Sequence, residues 1–147
     1  MRSKSTPLAQ VRRRILIIDH QSLVRRGLSA LIESEPDLLV CAEAAAEQAG
    51  LEAVAASQPD LVIIDPLFAS GDGLEMVKTI RLHHRALPIL VLTTHSARRY
   101  VEGAWRAGAS GYVTKRELGE TLLDAIRRAL DGEKYVSPKI RTALERG

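Results

Sequence analysis

Five short apolar runs punctuate the chain: Ile15–Ile18, Leu38–Ala42, Leu61–Ile64, Ile89–Leu92 and Gly111–Val113. Three of them are unbroken Ile, Leu and Val. A strand with one wet face alternates apolar and polar residues. A strand apolar at every position must bury both faces, as in a parallel sheet covered by helices. Between the runs, apolar residues recur at helical spacing: Val24, Leu28, Leu31 and Ile32; Leu51, Val54 and Ala55; Leu74, Val77 and Ile80; Val101, Ala104 and Trp105; Leu118, Leu122, Ala125, Ile126 and Ala129. Pro36, Pro59 and Pro88 fall between a helical pattern and the next strand, where the helix must already have stopped. Gly108 and Gly132 suit helix C-termini. The pattern predicts strand then helix, five times over. Right-handed crossovers turn that order into an open parallel sheet with helices on both sides.

At 147 residues the chain fits one domain. The hydrophobic fraction of 46% supports a sizeable core, and with aromatics at 3% that core must be aliphatic. The net charge of +3 is a mild basic excess spread in Arg pairs, which permits nucleic-acid contact without arguing for it. The single cysteine, Cys41, excludes an internal disulfide and any zinc-ligand spacing; it reads as a small buried hydrophobe. The run Ile15–Ile18 is too short for a signal-peptide core, and no apolar stretch could span a bilayer, so a cytoplasmic location is expected. Residues 1–13 read as a flexible basic tail that includes Arg12 and Arg13.

In open parallel sheets, ligands sit beyond the carboxyl ends of the strands, where the strand order reverses. Those ends carry Asp19 and His20, Asp65, Thr93 and Thr94, and Lys115. Asp65 alone would be an ordinary cap for the next turn, and Lys115 alone a solvated lysine. Two carboxylates, a hydroxyl and an ammonium along one rim point instead to a reactive cluster. The segment after the first strand, Asp19-His20-Gln21-Ser22, has none of the glycines of a nucleotide-binding loop, which argues against a dinucleotide or P-loop enzyme.

Ile17-Ile18-Asp19, Asp65 followed by Asp72-Gly73-Leu74, Leu92-Thr93-Thr94, and the stretch from Ala107 through Tyr112 to Lys115 resemble the receiver domains of two-component response regulators over residues 14–136. Leu23-Val24-Arg25-Arg26-Gly27-Leu28 and Tyr135-Val136-Ser137-Pro138 resemble the NarL/LuxR (FixJ-like) branch. The resemblance implies a flavodoxin-like (βα)5 doubly wound α/β fold with strand order 2-1-3-4-5. It implies Asp65 as the phosphoacceptor, with a sensor histidine kinase as donor. It implies Mg²⁺ held by Asp19, Asp65 and the Leu67 backbone carbonyl, and Lys115 and Thr93 as the groups that meet the phosphoryl oxygens. It also implies a switch in which Tyr112 follows Thr93 and remodels the face of the fourth helix, fifth strand and fifth helix, where Arg98, Arg99, Arg127 and Arg128 fall. The partners it implies are the kinase, a second copy in a homodimer, and DNA only through a helix-turn-helix output domain. No such domain is expected within residues 137–147, which begin at the helix-start signal Ser137-Pro138 and read as a linker or a C-terminal helix. No membrane partner is expected, and no turnover beyond assisting its own phosphotransfer and dephosphorylation.

Two positions depart from the family pattern. His20 stands where a second acid is usual, which removes a formal charge from the metal pocket and should weaken Mg²⁺ binding, since Mg²⁺ takes imidazole poorly. Pro66 follows Asp65 and has no N–H to offer a phosphate, while Ala69 stands where the family often has proline. These departures motivate an alternative, an atypical pseudo-receiver that binds a protein partner without phosphorylation. The remaining candidates have plainer readings: Trp105 as packing for the fourth helix, and His83, His84 and His95 as surface residues.

Overall fold

The computed structural model describes residues 11–68, 71–95 and 97–146. Its elements are β1 (Arg13–Ile18), α1 (Ser22–Glu33), β2 (Leu38–Ala44), α2 (Glu47–Ser57), β3 (Leu61–Ile64), β4 (Leu67–Phe68), β5 (Gly71–Asp72), α3 (Leu74–His83), β6 (Ile89–Thr93), α4 (Arg98–Ala107), β7 (Gly111–Thr114), α5 (Glu120–Leu130), β8 (Tyr135–Val136) and α6 (Pro138–Arg146). The main sheet is parallel throughout, in the order β2-β1-β3-β6-β7-β8. Its first five strands follow the expected 2-1-3-4-5 order, and β8 adds a sixth. β4 and β5 pair antiparallel outside this sheet.

The unbroken apolar runs are explained by how each strand divides its side chains. Leu16, Ile18, Val62, Ile64, Ile89 and Val91 face one core, shared with α2, α3 and α4 through Val54, Met76, Val77, Ile80, Val101 and Ala104. Ile15, Ile17, Leu61, Ile63, Leu90 and Leu92 face the other, shared with Leu28 and Ile32 of α1 and with Leu122, Ala125, Ile126 and Ala129 of α5. Neither face of the central strands meets water. Each such aliphatic side chain contributes about 1.5–3 kcal/mol on leaving water, and together they fix the register that sets the rim.

α4 ends at Gly108, whose φ of 110° is a left-handed conformation that β-carbon-bearing residues resist. A Cβ there would also lie 2.8 Å from Cγ of Arg81. Arg81 needs that approach, because its guanidinium donates to the Gly108 carbonyl at 3.0 and 2.8 Å.

Two features differ from expectation. Residues 1–10 of the basic tail lie outside the described residues, but Arg12 and Arg13 are tied to the domain. The Arg12 guanidinium bonds the Leu38 carbonyl and pairs with Glu33, and Arg13 opens β1, its backbone N–H on the Asp37 carbonyl. The physical reason is that β1 borders β2 from its first residue, so Arg13 is drawn into the ladder and the Arg12 side chain is brought beside Leu38 and Glu33. β8, too short to show a period, pairs with β7 through Tyr135 N–H to the Ser110 carbonyl and Ser137 N–H to the Tyr112 carbonyl. The chain then enters α6, which buries Ile140 against the first core. Among the described residues no helix is long and apolar enough to cross a membrane.

Candidate functional site

Ile18 and Ile64 are partners at the ends of adjacent strands, so the next residues, Asp19 and Asp65, emerge side by side at the rim. Their backbone N–H groups still belong to the ladder: Asp19 donates to Ala44 and Asp65 to Ile18, each at 3.0 Å. Both side chains are buried, at 3% exposure each. Both are held in the same way. Oδ1 of Asp19 accepts the N–H of Gln21 at 2.8 Å, and Oδ1 of Asp65 accepts the N–H of Leu67 at 2.9 Å. With one oxygen fixed by the backbone two residues on, each carboxylate turns Oδ2 toward a shared point. Arg25 secures the Asp19 main chain by donating to its carbonyl at 2.6 Å.

Lys115 reaches that point from β7. Its backbone N–H donates to the Thr93 carbonyl at 2.9 Å, which sets the side chain at the rim. Nζ lies 2.8 Å from Oδ2 of Asp19 and 2.6 Å from Oδ2 of Asp65, and it donates to Oε1 of Gln21 at 2.9 Å. Burial disfavours the ammonium, but the two carboxylates together outweigh it and hold the Lys115 pKa above the ordinary lysine value. Two carboxylates against one ammonium leave the cluster with a net negative charge. Oδ2 of Asp19 has the Lys115 ammonium as its ion-pair partner and no further hydrogen-bond donor among the described residues.

That donor set fits a divalent cation. Ligand atoms of Asp19, His20 and Asp65 lie within 4.8 Å of one another, and the net negative charge of the two buried carboxylates and one ammonium favours a further cation there. His20 is the half-exposed member, its Nδ1 3.9 Å from Oδ1 of Asp19. The Asp65 side of the site is shaped by the chain folding back on itself. Gly73 N–H donates to the Pro66 carbonyl at 2.9 Å, so close that a Cβ on Gly73 would sit 2.1 Å from that oxygen. Gly73 of the Asp72-Gly73 motif is therefore a steric requirement of this turn. Pro66, with no N–H of its own, takes part through its carbonyl.

Thr93 is buried at the end of β6, and its Oγ1 is 3.5 Å from the N–H of His95. Tyr112 is buried in β7, and its hydroxyl donates to the carbonyl of His95 at 2.7 Å. Burial first, then the charge of Asp65 and the neighbouring Tyr100, push the Tyr112 pKa far up, so the phenol keeps its proton. Thr93 and Tyr112 both line an apolar recess of about 220 Å³, whose far wall is Tyr100 and Leu74.

Of the strand-end residues singled out in the sequence, Asp19, Asp65 and Lys115 meet at one point with His20 beside them, Leu67 enters through its N–H, and Thr93 lines the neighbouring recess. Thr94 lies in an exposed bend. Trp105 packs on the first core with Lys134 over its ring at 5.4 Å, and His83 and His84 border a separate hollow beside α2. Two contributors carried no sequence signal. Gln21 is a generic polar residue until Lys115 is found beside it, and His95 acts through its peptide group, which any residue would supply.

Comparison with known proteins matches this arrangement. Residues 15–127 match the family model of the response regulator receiver domain. The transcriptional regulatory protein YxjL of Bacillus subtilis is 35% identical over 120 residues, which are 82% of this chain and 55% of that protein. The oxygen regulatory protein NreC of Staphylococcus haemolyticus is 33% identical over 133 residues, 89% of this chain and 61% of that protein. The chain therefore spans little more than half the length of these relatives. A LuxR-family two-component response regulator from Aurantimonas superposes with a TM-score of 0.87 at 34% identity, covering 92% of this chain and 96% of that one. With these likenesses and the shared fold, the chain belongs to the response regulator receiver family, in its NarL/LuxR branch.

Proposed function

We propose that this receiver takes a phosphoryl group on Asp65 from a sensor histidine kinase and converts it into a changed protein-binding face. The observation that carries the reading is the convergence of Asp19 Oδ2, Asp65 Oδ2 and Lys115 Nζ on one point, with Gln21 behind the lysine. Oδ1 of Asp65 is engaged by the Leu67 N–H, so Oδ2 is the nucleophile. As its bond to phosphorus forms, the bond from phosphorus to the kinase histidine nitrogen breaks, and the histidine leaves as a neutral imidazole once it takes up a proton. Lys115 stays charged and offsets the negative charge on the transferring oxygens. Asp19, Asp65 and the Leu67 carbonyl are the groups that would hold Mg²⁺, with the His20 imidazole beside them as a poor ligand for it, and Mg²⁺ when bound supplies further charge stabilisation at those oxygens.

The acyl phosphate brings new acceptor oxygens within reach of the Thr93 hydroxyl. Rotating that hydroxyl toward them weakens its contact with His95 N–H, and the His95 peptide is also what Tyr112 holds. The recess between Thr93 and Tyr112 leaves room for the ring to repack. The length of the relatives supports a wider role as the regulatory part of a transcription factor whose DNA-binding domain follows the receiver. Incubation with acetyl phosphate and Mg²⁺, read by intact mass, tests the reading. One phosphate adduct in the natural protein and none in Asp65→Asn is the expected result. No adduct in either overturns it in favour of a binding module that works without phosphate.

A further inference from the structure

We propose that the cation site of this receiver prefers a borderline transition-metal ion to Mg²⁺, with the His20 imidazole as its nitrogen ligand. The inference rests on the reading of Asp19 and Asp65 as a cation-holding floor, but not on phosphate transfer. Three observations carry it. The donor atoms of Asp19, His20 and Asp65 cluster within 4.8 Å, two oxygens and one nitrogen. Oδ1 of each aspartate is engaged by a backbone N–H, so the two Oδ2 atoms are held at fixed positions. One of them, on a side chain only 3% exposed, has the Lys115 ammonium at 2.8 Å and no further hydrogen-bond donor among the described residues, which leaves the pair of carboxylates one charge short of neutral.

Mg²⁺ favours an octahedron of oxygens and gives up water reluctantly, while imidazole suits zinc, iron, cobalt and nickel. Three ligands on one such ion, each about 2.0–2.2 Å from it, stand closer together than the present spacing of up to 4.8 Å, so His20 must swing inward. Its side chain is 47% exposed and pairs with Asp19, so this rotation meets little resistance. Charge works in the same direction. A divalent ion with two carboxylates and the Lys115 ammonium leaves a net charge of about +1, where a third carboxylate would have made it zero. A nitrogen ligand thus leaves the loaded site electropositive and ready for an anion.

The test is titration of the full chain with CoCl₂, followed by visible absorbance and calorimetry, and with MgCl₂ by calorimetry, for the natural protein, His20→Ala, His20→Asp and Asp65→Asn. Cobalt binds most mixed sites more tightly than magnesium, so the response to the variants decides. His20→Ala should lower Co²⁺ affinity about tenfold or more while moving Mg²⁺ affinity by less than about twofold, and His20→Asp should strengthen Mg²⁺ binding. Equal Co²⁺ affinity in the natural protein and His20→Ala overturns the proposal. So does Co²⁺ binding undiminished in Asp65→Asn, which places the ion on other histidines. Either failure leaves the acceptor role of Asp65 standing, because the mass adduct reads that separately. Circular dichroism confirms that the exposed His20 variants remain folded.

Discussion

The Tyr112 hydroxyl donates to the main-chain carbonyl of His95 at 2.7 Å, and the N–H of that same residue approaches Thr93 Oγ1. Two side chains from neighbouring strands are therefore joined through one residue of the β6–α4 loop. His95 links them through its N–H on one side and its carbonyl on the other.

Tyr112→Phe isolates the link, since the ring stays and only the donor is lost. The His95 carbonyl then loses its partner, and stability should fall by about 0.5–1.5 kcal/mol in urea unfolding. An unchanged midpoint would show that the bond contributes nothing to holding the loop.

Two glycines should respond in opposite directions to alanine. Gly27 lies inside α1, and a Cβ at that position would meet nothing within 4 Å, so Gly27→Ala should stabilise the chain by about 0.5–1 kcal/mol through helix propensity. Gly73→Ala should cost about 3 kcal/mol, because the new Cβ meets the Pro66 backbone. Thermal melts of the pair check both signs; equal effects would mean that the turn after Asp65 is not sterically tight.

The rim charges predict a trade between stability and chemistry. Lys115→Met strips the bridging cation from two buried carboxylates and should cost about 3 kcal/mol near neutral pH. Asp65→Asn keeps an oxygen for the Leu67 N–H while removing one of two like charges, so it should raise stability by about 1 kcal/mol. The Lys115 pKa is higher folded than unfolded. Its contribution is therefore complete below the ordinary lysine value of 10.5 and is lost as pH rises through the folded value. Urea titrations of the natural protein and Lys115→Met should accordingly converge above pH 10.5; a constant gap would contradict the assigned pairing.

Much of this was legible in the chain before its structure. The unbroken runs such as Leu61–Ile64 announce burial on two faces, and a parallel sheet then puts Asp19, Asp65, Thr93 and Lys115 on one rim. What stayed hidden has physical reasons. β8 is two residues long, below any period. Gln21 depends on a lysine 94 positions away. Gly73 looks like a flexible turn residue, and only the approach of the Pro66 carbonyl shows that it is there for want of a side chain. Arg12 looks like a tail residue until Leu38 and Glu33 are placed beside it.

Borohydride reduction of the chain after treatment with acetyl phosphate, followed by peptide mapping, tests the central claim most directly, because an aspartyl phosphate is reduced to homoserine where it stood. The account predicts homoserine at position 65 alone. Homoserine at position 19, or an unmodified peptide at both positions, would contradict it.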